Sequence, residues 1–337
     1  SFSWNPLVHD AERDAFEAAA RADGLLLELD LVSGLPGFRR MIQGRGILVG
    51  SEPAAGAEDG EAPSTSTSTS PPCAATPLRF KKTTAEFLTP FPLSSPTPRR
   101  HTMAHWTPFP HTSDYAWDAI RVQQQWARLH LGDAEPCPQD PGALQAWVLF
   151  HNGEFEQAVA AGLAAGGAGI TAANKATAVY ATYLEPREKT RLDLFMQMAE
   201  RAQAQAAADP QHANAWYWNA YALGRYCQGI SVAKALAQGL GQQIKESLEK
   251  AIALSPRHVE ARIALGTFHA EVIDKVGALI GGMTYGAKKE TGLQLFEEAL
   301  ALHPGSAIGL VDYANALVML EGEARMDEAT ALYERAA

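Results

Sequence analysis

Three similar phrases close on proline late in the chain: Ala-Ala-Asp-Pro210, Ala-Leu-Ser-Pro256 and Ala-Leu-His-Pro304. The prolines stand 46 and 48 residues apart. Each is followed by a stretch with one shared spacing of apolar and small residues: Trp216, Asn219, Ala220, Leu223; Arg262, Leu265, Gly266, His269; Leu310, Tyr313, Ala314, Leu317. This is the pattern of a tetratricopeptide-type first helix, where a small eighth residue lets the partner helix approach closely. The second helices repeat as well, through Ile244, Leu248 and Ala251, then Gly292, Phe296 and Ala299, then Ala329, Tyr333 and Ala336. The expected fold is therefore all-α, a tetratricopeptide-like α-solenoid of antiparallel helix pairs over residues 141–337.

Weaker hairpins precede these: Ala143 to His151 and Glu154 to Ala165 around an Asn152-Gly153 turn, then Ile170 to Leu184 and Pro186 to Ala208 after the Gly166-Gly167 break. Residues 103–140 form a helical lead-in, in which Trp117, Ile120, Val122, Trp126 and Leu129 share a helical face. Asp133 to Gly142 reads as a linker, because its three closely spaced prolines will not continue a helix. Residues 1–50 hold a short segment of uncertain structure. Residues 51–102, rich in Ser, Thr and Pro, cannot bury enough apolar area to offset ordering entropy and are expected to be disordered. Met103, just before the ordered-looking sequence, is a candidate natural start. No closing helix follows Ala337, which would leave the last hairpin's apolar flank uncovered.

The repeats exceed the usual length of about 34 residues. The surplus lies between their helices, at Tyr226 to Gly241 and Ala270 to Gly286, in two apolar, glycine-bearing segments. These either fill a gap between layers or enclose a hydrophobic ligand, in which case Ile230, Leu236, Leu240, Ile273, Leu279, Met283 and Tyr285 line its site.

Catalysis has little to stand on. The ten histidines are scattered, and the three cysteines are odd in number and widely spaced. No His-Glu-x-x-His, cysteine pair, Gly-x-Ser-x-Gly or phosphate-loop motif occurs. The chain is expected not to be an enzyme and to need neither cofactor nor metal. A net charge of −10 argues against nucleic acid as a partner. No stretch has the roughly 20 apolar residues of a membrane span. The expected location is cytoplasmic by default, with a periplasmic one left open because the first residue is not methionine.

A partner peptide would be read by first-helix positions on the concave side. Counted from Ala213, Val259 and Ala307, these are Asn214, Tyr217, Tyr221 and Arg225, then Glu260, Thr267 and Glu271, then Asn315 and Met319. Ala213 to Gly322, with Ala-Leu-Gly-Arg-Tyr226, the Ile244 to Pro256 phrase, Leu265-Gly266 and the enlarged repeats, resembles tetratricopeptide proteins grouped with the regulators of microtubule dynamics, in their bacterial form. It is also similar to the tetratricopeptide component of some tripartite transporters. The resemblance implies an interaction scaffold binding a peptide or helix of an unidentified protein. A hydrophobic-molecule carrier and a microtubule-associated regulator stand as alternatives.

Overall fold

The computed structural model describes residues 106–337 apart from residues 232, 233, 236 and 237, so the readings made for residues 1–102 and for Leu236 lie outside the described residues. The helices are α1 (Ala119–Leu129), α2 (Pro141–His151), α3 (Phe155–Ala165), α4 (Gly169–Val179), α5 (Glu188–Ala208), α6 (Ala213–Gln228), α7 (Leu240–Leu254), α8 (Val259–Val276), α9 (Ala278–Tyr285), α10 (Lys289–Leu302), α11 (Ala307–Glu321) and α12 (Met326–Ala336). A π turn at Tyr180–Leu184 prolongs α4. No strand occurs among the described residues.

The proline phrases become three copies of one turn. After α5, α7 and α10 the chain leaves the helix at Asp209, Ser255 and His303, whose backbone angles are nearly the same. The amides of His212, His258 and Ser306 then donate to the carbonyls of Asp209, Ser255 and His303 at 3.1, 3.0 and 3.1 Å. Each proline falls inside such a turn, where its missing N–H costs nothing. His258 and Ser306 go on to cap the next helix, accepting from the Ala261 and Gly309 amides. Equal turns launch successive hairpins alike, and that produces the array.

The hairpins pair α2 with α3, α4 with α5, α6 with α7, α8 with α10 and α11 with α12. First helices also meet across hairpins, α2 on α4, α4 on α6 and α8 on α11. The small eighth positions Ala220, Gly266 and Ala314 are all buried. At Gly266 a Cβ would stand 2.8 Å from the Phe296 ring, and that ring stacks on Tyr313 of the next hairpin with centroids 5.3 Å apart. Phe296 thus plugs the space between the two layers. At the α3–α4 junction a Cβ on Gly162 would come 2.4 Å from the Gly169 carbonyl oxygen, so only glycine permits that crossing.

The lead-in is sewn to the first hairpin by Asn152. Its carboxamide accepts from the Trp117 amide at 2.8 Å and donates to the Trp117 carbonyl at 2.9 Å. The following Gly153 has φ of 77° and faces Phe109, where a Cβ would be 2.3 Å from the ring. Trp117, Val122, Trp126, Trp147, Phe150 and Phe155 close into one aromatic core beside these residues.

The second enlarged repeat lengthens α8 to Val276 and then folds back through α9. Gly277, at φ 82°, makes the reversal. Among the described residues no helix is long and apolar enough to cross a membrane.

Candidate functional site: the first-helix face

The stretch after α1, expected to be a linker, is instead laid across the face of the first helices. Asp133 and Glu135 are 1% and 4% exposed, and Pro138 is buried. The reading failed because acidic residues and prolines signal solvent locally, whereas their partners lie far along the chain. The carbonyl of Gly132 accepts the Val259 and Glu260 amides at 2.9 and 3.0 Å, taking up the free donors at the start of α8. The Asp133 carbonyl accepts from Asn214 Nδ2 at 2.9 Å, and the Glu135 carbonyl from Trp126 Nε1 at 2.8 Å. The helices α1, α6 and α8 therefore grip the backbone of a short piece of the same chain.

The side chains of this piece are held as firmly as its backbone. Asp133 Oδ2 lies 2.9 Å from Lys175 Nζ on α4, and His130 Nδ1 lies 3.0 Å from Asp133 Oδ1. Glu260 Oε1 stands 3.6 Å from the same Lys175. Burial alone would raise the Asp133 carboxyl, but the Lys175 ammonium and then His130 hold it well below the usual carboxylate range. Glu135 lies 2.6 Å from Asn214 Nδ2, yet burial, reinforced by the Asp133 charge, pushes its carboxyl well above the ordinary value. One ionised carboxylate beside one ammonium leaves the buried set close to neutral. Between the two carboxylates Ala134 sits at φ 50°, a left-handed conformation that an alanine keeps only where its neighbours are pinned.

His258 joins the two halves of this arrangement. Its Nδ1 accepts the Ala261 amide at 3.1 Å, so the ring proton is on Nε2, 2.9 Å from Asn214 Oδ1. Asn214 is thereby oriented to donate from Nδ2 to the docked segment. Burial lowers the His258 pKa from 6.5 to about 4. Because the folded value lies below the unfolded one, acid favours the unfolded chain. The stability attached to a neutral His258 is whole above pH 6.5 and falls away between there and about 4. At 1.36 kcal/mol per unit the loss is about 3 kcal/mol. Burial lowers His130 and His151 in the same direction. Replacement by asparagine, which keeps a helix cap, is expected to flatten the acid limb of the urea midpoint between pH 7 and 4. An unchanged slope in His258→Asn would assign the loss to other groups.

The positions expected to read a partner now divide. Asn214 and Tyr217 are buried, at 2% and 5% exposure. Asn214 is committed to the docked segment, and Tyr217 packs on His258 and Trp218 with centroids 4.7 and 4.8 Å away. Glu260 holds Gly132 through its backbone. Asn214 and Glu260 serve the chain's own segment and Tyr217 is packed within the array, which is a correction to their reading as open groove positions. Tyr221 and Arg225 lean back on the preceding hairpin: the Tyr221 hydroxyl is 3.3 Å from Thr182 Oγ1, and the Arg225 guanidinium lies 5.8 Å over the Phe195 ring.

Thr267, Glu271, Asn315 and Met319 are brought together. With Ala270, Asp312 and Ala316 they line a cleft between α8 and α11 whose inner volume is about 10 Å³, room for one water. Sequence reasoning missed Asp312, which is 4% exposed at the bottom of this cleft. Its Oδ2 and the neighbouring Thr267 Oγ1 make no well-formed hydrogen bond, although the Thr267 hydroxyl is near enough to favour the ionised carboxyl weakly. Burial first and the Glu271 charge second push the Asp312 carboxyl well above its ordinary value. A lone Asp among Leu310, Val311, Tyr313 and Ala314 on a core-facing turn was the available signal.

The residues expected to line a hydrophobic-ligand site are not gathered round one interior space among the described residues. Leu240 belongs to the core, whereas Leu279 and Met283 are 76% and 81% exposed. Tyr285 lies over Gly241, where a Cβ would be 2.6 Å from its ring, and meets Phe268 edge-on at 6.1 Å. Ile230 and Ile273 are half-buried. The second insertion thus closes onto the end of the first. No group of three or more His, Cys, Asp or Glu side chains is placed to hold a metal ion among the described residues.

Residues 171–337 match the family described as regulator of microtubule dynamics protein 1-3. Compared with the curated proteins, the chain has no match. The matched region begins within α4 and takes in Lys175, Asn214, His258 and the α8–α11 cleft, but not the docked segment.

Proposed function

We propose that this chain is a non-enzymatic interaction scaffold whose first-helix face binds an extended peptide of another protein. One observation carries the reading: the face already holds a peptide, the Gly132 to Glu135 piece of its own chain, through backbone carbonyls and carboxylates. Carbonyl capture by helix N-terminal amides and by an oriented carboxamide does not depend on side-chain identity, so the same surface chemistry suits other extended segments. The own segment fills the face from α4 to the start of α8. The stretch between α8 and α11 remains for a partner, and there four of the expected groove positions converge.

Selection of twelve-residue displayed peptides on the full chain tests this. Selected peptides are expected to bind wild type and to lose at least about tenfold in affinity on Met319→Trp, which fills the cleft with bulk while remaining apolar. Peptides that bind Met319→Trp as well as wild type would place recognition elsewhere and end the reading. A second reading, regulation of microtubules, is supported by the matched family's description. Co-sedimentation of the full chain with polymerised tubulin tests it, and recovery in the supernatant at all protein concentrations counts against it.

A further inference from the structure

We infer that the cleft between α8 and α11 is a lysine-reading subsite, taking the ammonium of one lysine in an extended partner segment; this rests on the scaffold reading above. The cleft holds more acceptor capacity than its own donors, the Thr267 hydroxyl and the Asn315 carboxamide nitrogen, satisfy, since Asp312 Oδ2 stays without a bond. Asp312 Oδ2 and Thr267 Oγ1 are buried without a well-formed hydrogen bond and line the same hollow. Asn315 Oδ1 accepts the Tyr333 hydroxyl at 2.7 Å, which fixes the carboxamide at the rim. Glu271 adds a second carboxylate, with Lys275 Nζ 3.9 Å away and Gln228 donating at 3.2 Å from its other side. An unsatisfied buried carboxyl is expensive. A cationic donor removes that cost.

Size selects among cations. The inner end of the hollow, about 10 Å³, fits a group of water's dimensions, and its mouth opens to solvent. An ammonium is such a group, a compact charge with three donors, whereas the planar guanidinium of arginine needs a wider slot. The walls of Ala270, Ala316 and Met319 suit the methylene stem that leads a lysine head to a buried acceptor. The other end of the same face shows the complementary solution, since there the array contributes Lys175 and the docked segment contributes the Asp133 carboxylate. Between α8 and α11 the array contributes the carboxyl.

Asp312→Asn is the direct test. It removes the ionisable carboxyl at constant shape, and since burial favours the neutral acid in the free protein, the variant is expected to melt no lower than wild type. Peptides selected on the full chain are expected to share one lysine. Acetylating that lysine, or changing it to arginine, should weaken binding at least about tenfold, and Asp312→Asn should weaken the unmodified peptide by a similar factor while leaving the acetylated one unaffected. Peptides with no common lysine, or an affinity indifferent to Asp312→Asn, overturn the subsite. If those same peptides still lose affinity on Met319→Trp, the scaffold reading survives without it. If no peptide is selected, or binding ignores Met319→Trp, both fall.

Discussion

Replacing Lys175 with methionine is expected to lower stability by about 3–5 kcal/mol, the range seen when one partner of a buried ion pair is removed. Asp133 has essentially no exposed surface and would be left with His130 as its remaining charged-capable neighbour at 3.0 Å. Methionine matches the lysine stem in shape and removes the ammonium, which also stands 5.9 Å over the Phe150 ring, so the loss reports chiefly the uncompensated carboxylate. The urea midpoint checks the magnitude. A second change identifies the cause: Asp133→Asn in the Lys175→Met background removes the stranded charge and is expected to restore more than half of the loss. Restoration that fails would mean the ammonium acts through Glu260 or through packing instead.

Phe296→Ala is expected to be of similar size, about 3–5 kcal/mol, for an unrelated reason. The ring has no exposed surface, covers Gly266 on its own first helix and stacks on Tyr313 of the next. Gly266 has no side chain with which to refill the void. Since each hairpin is stabilised chiefly by its neighbours, the loss should concentrate in α10 to α12. Amide exchange is the measurement that separates this from Lys175→Met, whose effect should centre on α1, α4 and the intervening segment. Uniform loss of protection along the chain in both variants would contradict that localisation.

The array was legible in the sequence because its signals are local and repeated. Pro210, Pro256 and Pro304 mark the turns, Gly266 with Phe296 marks a helix contact, and Asn152-Gly153 marks a hairpin reversal, each within a few residues of the structure it specifies. Of the first-helix positions proposed to meet a partner, the sequence places only the second half on one open cleft. Thr267, Glu271, Asn315 and Met319 follow from helical spacing alone, and helical spacing is what places them. Asn214, Tyr217 and Glu260 follow from it too, but a segment dozens of residues earlier covers them, and spacing within a helix carries no information about that. The signal lay in α4: Lys175 stands among Ala172, Ala173, Ala176 and Ala178 on a helix buried nearly all round, and a lysine there requires an acid from elsewhere. Asp133, in a stretch that looked solvent-exposed, was that acid. The insertions were ambiguous for a different reason, since apolar residues beside glycines fit a lined cavity and a folded-back helix equally well, and only the placement of Tyr285 over Gly241 separates the two.

An array whose hairpins touch only their neighbours can assemble from any point outward. The Gly132 to Glu135 piece ends that freedom here, since Asn214 reaches it across a sequence separation of 81 residues and α8 lies further still. On a ribosome, the lead-in would emerge first yet wait for α8 before it could settle, so the earliest part of this region to be synthesised would be among the last to dock. Refolding should then show a slow step in the Trp126 environment that follows helix formation, a delay that a purely nearest-neighbour stack would not have.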